Sequence, residues 1–347
     1  MKALVYHGPG KKGWEDRPKP TLQYPTDAIV RVLSTTICGT DLHILKGDVP
    51  AVTDGRLLGH EGVGVVDEVG AAVVRCKRGD HVIISCITSC GACDACKRQM
   101  YSHCATGGWL LGHLIDGTQA DFVRIPYADN SLLQVPRGVD EDAMVMLSDI
   151  LPTGYEVGVV KGAVKPGDTV AIVGGGPVGL AALLTAQFFA PAELILVDLD
   201  DNRLAVASKL GATATVSGGD GKAVARVLEI TGGRGVDVAI EAVGVPASFD
   251  ICQEIVAAGG HVANVGVHGT SVALHLELLW SKNVTITTGL VDTSSTPMLL
   301  RNVVSGRLTP RQLITHEFAF ADFLQAYDTF AHAAQQKALK VLVKANR

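Results

Sequence analysis

The chain has 347 residues, 47% of them hydrophobic and 19% charged, with 39 glycines and a formal net charge of -5. That length holds two domains of ordinary size, each with its own core, and the composition excludes a disordered or coiled-coil chain. The slight negative charge leaves no basic footprint, which excludes nucleic acid and anionic membrane surfaces as partners.

The stretch Met1 to Gly8 lacks the apolar core and cleavage pattern of a signal peptide, so a cytoplasmic location is expected. From Lys2 to about Val135, short apolar runs are separated by Gly, Pro and Asp. Ala28 to Leu33, Gly62 to Val66 and His81 to Ile84 have the length and β-branched content of strands, with turns at Arg78-Gly79-Asp80 and Asp116-Gly117. Within this strand-rich region, Cys38-Gly39-Thr40-Asp41-Leu42-His43 offers a soft metal ligand, a hydroxyl and an imidazole in one short segment. Gly59-His60-Glu61-Gly62 adds an imidazole and a carboxylate at the mouth of a strand.

Cys90, Cys93, Cys96 and Cys104 follow, spaced Cys-x2-Cys-x2-Cys-x7-Cys. Four thiolates complete a tetrahedral zinc site and leave no position for substrate, so this lobe, residues 86–106, is expected to be structural. An iron–sulfur cluster is the minor alternative at such spacings. Cys76, Cys86 and Cys252 have no comparable spacing and read as small core residues. Between Asp140 and Tyr155 the pattern turns helical, and Pro152 bends it near Asp149. A carboxylate among apolar neighbours there needs a partner or a metal, unless it caps the helix or faces solvent.

The run Thr169 to Val173 leads into Gly174-Gly175-Gly176-Pro177-Val178-Gly179 and then a helical pattern from Leu180 to Phe189. A buried strand, G-x-G-x-x-G and a helix form the dinucleotide-binding arrangement, in which the helix N-terminus faces the pyrophosphate. The same region, Thr169 to Ala190, passes a hydropathy window, but the glycine turn makes it a strand and helix rather than a membrane span. Asp198 closes the second strand, where a carboxylate meets the adenosine ribose hydroxyls; it predicts NAD over NADP, with Arg203 beside the adenine. Strands and helices then alternate to about Val265, which implies a doubly wound parallel sheet. The fold class is therefore α/β: a Rossmann domain over 152–289, inserted in a strand-rich domain formed by 1–151 and 290–347.

Taken together, these motifs resemble the zinc-containing medium-chain alcohol dehydrogenases over essentially the whole chain. The Cys-Gly-x-Asp-x-His segment, the Gly-His-Glu segment, the four-cysteine lobe, the Rossmann insert and the return to the first domain occur in the family's order. The resemblance implies that Cys38 and His60 bind a catalytic zinc, with Glu61 able to approach a fourth position when substrate is absent. Relatives use Cys, Glu or Asp as the third ligand, and Asp149 looks like the Asp type. It further implies that Thr40 and His43 relay a proton and that Trp109 lines the substrate pocket. Thr153 is expected near the nicotinamide, and Val265, Val267, Leu290 and Val291 along the cofactor cleft.

The expected activity is hydride transfer between a primary or secondary alcohol and NAD, with two zinc ions per chain, one catalytic and one structural. A polyol or threonine dehydrogenase of the same fold, or a non-catalytic NAD-binding protein, are the alternatives. By analogy the protein is expected to be a homotetramer acting on a small alcohol or carbonyl compound.

Overall fold

The computed structural model describes residues 1–345. Contacts divide the chain into two compact units, one formed by 1–149 with the segment from 292 onward, the other by 150–291. The joints lie at 149/150 and 291/292, two residues from those set on the sequence. The first shift has a local cause. The helix Ile150–Thr153 continues directly into a wider, π-helical stretch, Gly154–Val160, and Gly154 lies so close to the helix Pro177–Ala186 that a Cβ would stand 2.5 Å from the Ala182 nitrogen. That contact binds the whole helix to the second unit.

In the first unit, seven strands form a mostly antiparallel sheet in the order Ile314–Ala319, Lys340–Lys344, Ala28–Thr36, Gly62–Val69, His81–Ile84 and Leu132–Gln134, with Phe122–Ile125 paired onto Ala28–Thr36. Ala28–Thr36 is the hub: it pairs with three strands and is buried along most of its length. Leu4, Val30, Ile84, Phe323, Tyr327 and Val341 are among the buried side chains packed around it. The C-terminal strand Lys340–Lys344 joins the hub with Leu342 opposite Thr36. A residue some three hundred positions away is thereby delivered beside the loop that follows the hub.

The second unit is a six-stranded parallel sheet. Its order is Ala214–Ser217, Glu193–Asp198, Thr169–Val173, Val236–Glu241, Val256–Asn264 and Thr285–Thr288. Thr169–Val173, the first of these strands in sequence, thus lies between the second and the fourth, and that reversal is the crevice where doubly wound sheets take their ligands. Thr169–Val173 is buried throughout, as a central parallel strand must be. Asp142–Val160 is apolar and long enough to cross a membrane by length and composition, yet 72% of its most apolar window is buried inside the protein, as in a core helix.

Candidate active site and dinucleotide site

Two clusters of metal-ligating side chains occur among the described residues. In the first, Cys38, His60, Glu61 and Asp149 each offer a ligand atom, all within 4.8 Å of one another. Cys38 is the N-cap of the helix Gly39–Lys46, and its backbone N–H donates to the Asp41 carboxylate at 2.9 Å. Asp41 is 1% exposed and is held in turn by the Gln119 amide at 3.0 Å, while the Tyr327 hydroxyl donates to the Gln119 carbonyl at 2.8 Å. Burial pushes the Asp41 carboxyl up, against the pull of His60 and the Cys38 N–H. Three buried polar groups therefore fix the loop that presents the sulfur.

His60 and Glu61 stand where the chain enters the strand Gly62–Val69. Ser148 is buried and bonds both backbone groups of Gly62, accepting from its N–H at 3.2 Å and donating to its carbonyl at 3.1 Å. This clamp brings the following residue, Asp149, to the imidazole: Oδ2 lies 3.4 Å from His60 Nε2 and 3.9 Å from Cys38 Sγ. Burial alone would lower His60, yet the Asp149 carboxylate and the Cys38 sulfur raise it well above its ordinary value. With a carboxylate and a sulfur turned onto this imidazole, the pocket is suited to a cation.

The Glu61 carboxylate completes the group. One oxygen is held by the Lys340 ammonium and the Thr36 hydroxyl, while the other is buried without a hydrogen-bond partner among the described residues. Soft sulfur, imidazole and carboxylate form a donor set that suits zinc and is not closed by thiolates alone.

Around this group, the Thr40 hydroxyl is 3.7 Å from Cys38 Sγ, and His43 Nδ1 is 2.8 Å from the Asp48 carboxylate. Trp109 stacks on His113 with centroids 4.2 Å apart and meets the His60 ring edge-on at 6.3 Å. Several neighbours escaped the sequence reading. Cys86, read there as a core residue, is buried but sets its sulfur 3.6 Å from Asp149 Oδ1, so it also borders the site. Lys340, Thr36, Gln119 and Tyr327 lie far from the motifs in sequence, and only the pairing of distant strands places them.

In the second cluster, Cys90, Cys93, Cys96 and Cys104 also converge within 4.8 Å. The Cys90 and Cys96 sulfurs are 3.9 Å apart, and backbone N–H groups of Ala92 and Cys93 point at Cys90 Sγ at 3.5 and 3.4 Å. Backbone donors from Ala105 and Cys96 bring the Cys93 thiol down to about 6. Converging N–H groups of this kind stabilise thiolates, the form in which sulfur binds a metal. All eight cysteines are free.

In the parallel unit, Gly176 is the N-cap of the helix Pro177–Ala186, with Pro177 in its first turn. Gly174 has φ +110°, and a Cβ on Gly179 would stand 1.8 Å from the Gly174 carbonyl oxygen, whereas one on Gly176 would meet nothing within 4 Å. Gly176 therefore borders open space in front of the helix N-terminus, as a phosphate-binding turn requires. Asp198 accepts the Gly175 N–H at 2.6 Å and the Asp200 N–H at 2.8 Å. The Arg203 guanidinium, expected beside the adenine, lies 3.7 Å from the same carboxylate. Val265 follows the end of the strand Val256–Asn264; Val267 and Leu290 are exposed and Val291 is buried.

The chain is similar to known proteins along essentially its whole length. Residues 24–137 match the alcohol dehydrogenase GroES-like domain, and residues 177–305 match the zinc-binding dehydrogenase domain. An alcohol dehydrogenase of Cupriavidus necator is 35% identical, covering 99% of this chain and 98% of its own. Among solved structures, zinc-dependent alcohol dehydrogenase 2 from Streptococcus pneumoniae, in its apo form, superposes with a TM-score of 0.96 at 52% identity, covering 100% of this chain and 99% of that one. The alcohol dehydrogenase TADH from Thermus sp. ATN1 does so with a TM-score of 0.92 at 33% identity, covering all of both chains. The chain belongs to the zinc-containing medium-chain alcohol dehydrogenase family. It is an oxidoreductase that exchanges a hydride between an alcohol and a nicotinamide dinucleotide.

The two glycines separate packing from binding. Gly179→Ala should lower Tm by several degrees, because its Cβ has no room beside the Gly174 carbonyl. Gly176→Ala should leave Tm within about one degree yet weaken dinucleotide binding at least about tenfold, since its methyl would occupy the phosphate's approach. Calorimetry and a fluorescence titration with NADH check both.

Proposed function

We propose that Cys38, His60 and Asp149 hold a catalytic zinc ion, with Glu61 reaching a fourth position when substrate is absent. Cys90, Cys93, Cys96 and Cys104 hold a second, structural zinc. The observation that carries this reading is the convergence of sulfur, imidazole and two carboxylates from three separate stretches into one anionic pocket. When bound, the zinc supplies a Lewis acid for the substrate oxygen and the nicotinamide supplies the hydride acceptor.

The remaining work falls to the chain's own groups. The Thr40 hydroxyl, beside Cys38, accepts the alcohol proton as it passes its own on along the relay that ends at His43, which releases a proton to solvent; Asp48 holds Nδ1 and so leaves Nε2 to exchange protons. Trp109, packed edge-on against His60, walls the substrate pocket, and the substrate is a primary or secondary alcohol or its carbonyl partner. Thr153 lies near the nicotinamide, and Val265, Val267, Leu290 and Val291 flank the dinucleotide.

The cofactor is NAD rather than NADP. Asp198 is a largely buried carboxylate that would repel a 2'-phosphate carrying a charge of roughly -1.5 to -2. The nearest guanidinium, Arg203, is already engaged with that carboxylate. Eight free thiols fit a reducing compartment such as the cytoplasm. A homo-oligomer, in the family manner a tetramer, is supported by the exposed edge strand Thr285–Thr288 and by exposed Leu276, Leu278 and Trp280 just before it.

Metal analysis of two variants tests the site assignments. Asp149→Ala should lose one zinc per chain and nearly all turnover while keeping its fold and NAD affinity within a few-fold. Cys93→Ser should lose the other zinc together with thermal stability, and any folded fraction should keep turnover. A panel of primary, secondary, aromatic and polyhydroxylated alcohols, run with NAD and with NADP, should show NAD preferred; a preference for NADP would remove the role given to Asp198. In the same assay Thr40→Val should lower kcat at least about 10²-fold with zinc intact, whereas His43→Gln should cost less and recover with added buffer base.

A further inference from the structure

Two loops at the carboxyl edge of the parallel sheet are tied together by one buried carboxylate. Glu241, the last residue of the strand Val236–Glu241, is fully buried, and its Oε1 accepts the Val243 N–H at 2.9 Å, the Gly244 N–H at 2.8 Å and the Ser248 hydroxyl at 2.6 Å. Its backbone carbonyl accepts the N–H groups of Val265 and Gly266, at 2.8 and 3.2 Å, in the loop that follows the strand Val256–Asn264. The second side-chain oxygen, Oε2, has no hydrogen-bond donor among the described residues and stands 3.4 Å from His268 Nε2. Asn264 sets that imidazole. Its amide nitrogen donates to the Gly266 carbonyl at 3.0 Å, so its oxygen, 2.8 Å from His268 Nε2, accepts, and the ring hydrogen lies on Nε2. Backbone meets backbone between the loops: a Cβ on Gly244, at φ +86°, would collide with the Val267 carbonyl, and one on Gly266 with the Gly244 nitrogen.

We infer that Glu241 and His268 are positioning residues that hold these two loops for the nicotinamide half of the dinucleotide. The inference rests on the dinucleotide reading above. In the sheet order, Asp198 ends the strand on one side of Thr169–Val173, whereas Glu241 and Asn264 end the two strands on its other side. A dinucleotide whose pyrophosphate sits at the glycine turn and whose adenosine reaches Asp198 extends its nicotinamide half over that other side. There Val243 covers Gly174, and Val267 stands exposed on the neighbouring loop. Burying a carboxylate costs free energy that an apolar side chain would not cost. Here the carboxylate fixes two backbone N–H groups of one loop and, through the imidazole, the far end of the other, so both are in place before a ligand arrives.

The test uses the zinc-loaded protein and two ligands that differ only in the nicotinamide, NADH and ADP-ribose. His268→Leu, which keeps bulk and removes the donor, should raise the Kd for NADH at least about tenfold and move the emission of bound NADH towards that of the free cofactor, with the Kd for ADP-ribose within about twofold of the parent. His268→Gln, whose amide supplies a donor near the place of Nε2, should bring the Kd for NADH back to within about threefold of the parent. Glu241→Gln should weaken NADH in the same selective way, and combining it with His268→Leu should add little, because the two act through one contact. Asn264→Ala, which frees the imidazole from its anchor, should weaken NADH about threefold and decides the matter should His268→Leu not fold.

Unchanged NADH affinity and emission in His268→Leu, or in Asn264→Ala where that variant decides, would overturn the role of the pair. So would an equal loss for both ligands, the mark of a merely structural residue, a His268→Gln variant as weak as His268→Leu, or fully additive losses in the double variant. An Asp198→Ala variant that binds ADP-ribose as tightly as the parent would instead overturn the dinucleotide reading, and this inference with it.

Discussion

The arrangement depends on one electrostatic constraint: a cysteine sulfur and two carboxylates are gathered around a buried imidazole, with one buried ammonium behind them. Like charges do not assemble in a protein interior without compensation, and leaving one such ion unpaired costs about 3–5 kcal/mol. Lys340 offsets Glu61, and the His60 imidazole lies against the Asp149 carboxylate. A divalent cation would offset them more completely. Much of the first unit serves to hold this cluster against its own repulsion: the Asp41–Gln119–Tyr327 chain under Cys38, the Ser148 clamp on Gly62 and the terminal strand that carries Lys340.

The second unit meets a different constraint, the approach of a dinucleotide to backbone. The tight turn at Gly174 and the close contact at Gly179 seat the helix against its strand, and the bare Gly176 keeps the helix N-terminus open. Asp198 is held by two backbone N–H groups at the end of the neighbouring strand, so its carboxylate is positioned before any ligand arrives. The two units thus hold complementary chemistry: one suits a cation and a polarised oxygen, the other a phosphate chain.

What was legible in the sequence follows the range of the interactions involved. The glycine turn and the four-cysteine lobe are local, their function being set by residues a few positions apart, and their spacing alone announced them. The parallel sheet was legible because buried strands and helices alternate in the chain. Asp149 was less so: its apolar neighbours marked it as a carboxylate in need of a partner, but no spacing connects it to Cys38, and the family resemblance alone made it a ligand. Lys340 and the Gln119–Tyr327 pair were not legible at all, because strand pairing across most of the chain brings them in. Cys86 is buried, in keeping with its reading as a core residue, and the backbone N–H it donates to the Ser148 carbonyl, one residue before Asp149, adds a place at the edge of the site that no spacing pattern signalled.

The central claim is that the buried anionic cluster is a metal site distinct from the cysteine lobe. The most direct measurement is an anomalous difference Fourier map from crystals of the protein as isolated, collected on the high-energy side of the zinc edge. The account predicts two peaks per chain, one bounded by Cys38, His60 and Asp149 and one at the centre of Cys90, Cys93, Cys96 and Cys104. A single peak in the cysteine lobe, with the Cys38 cluster empty in zinc-replete protein, would contradict it.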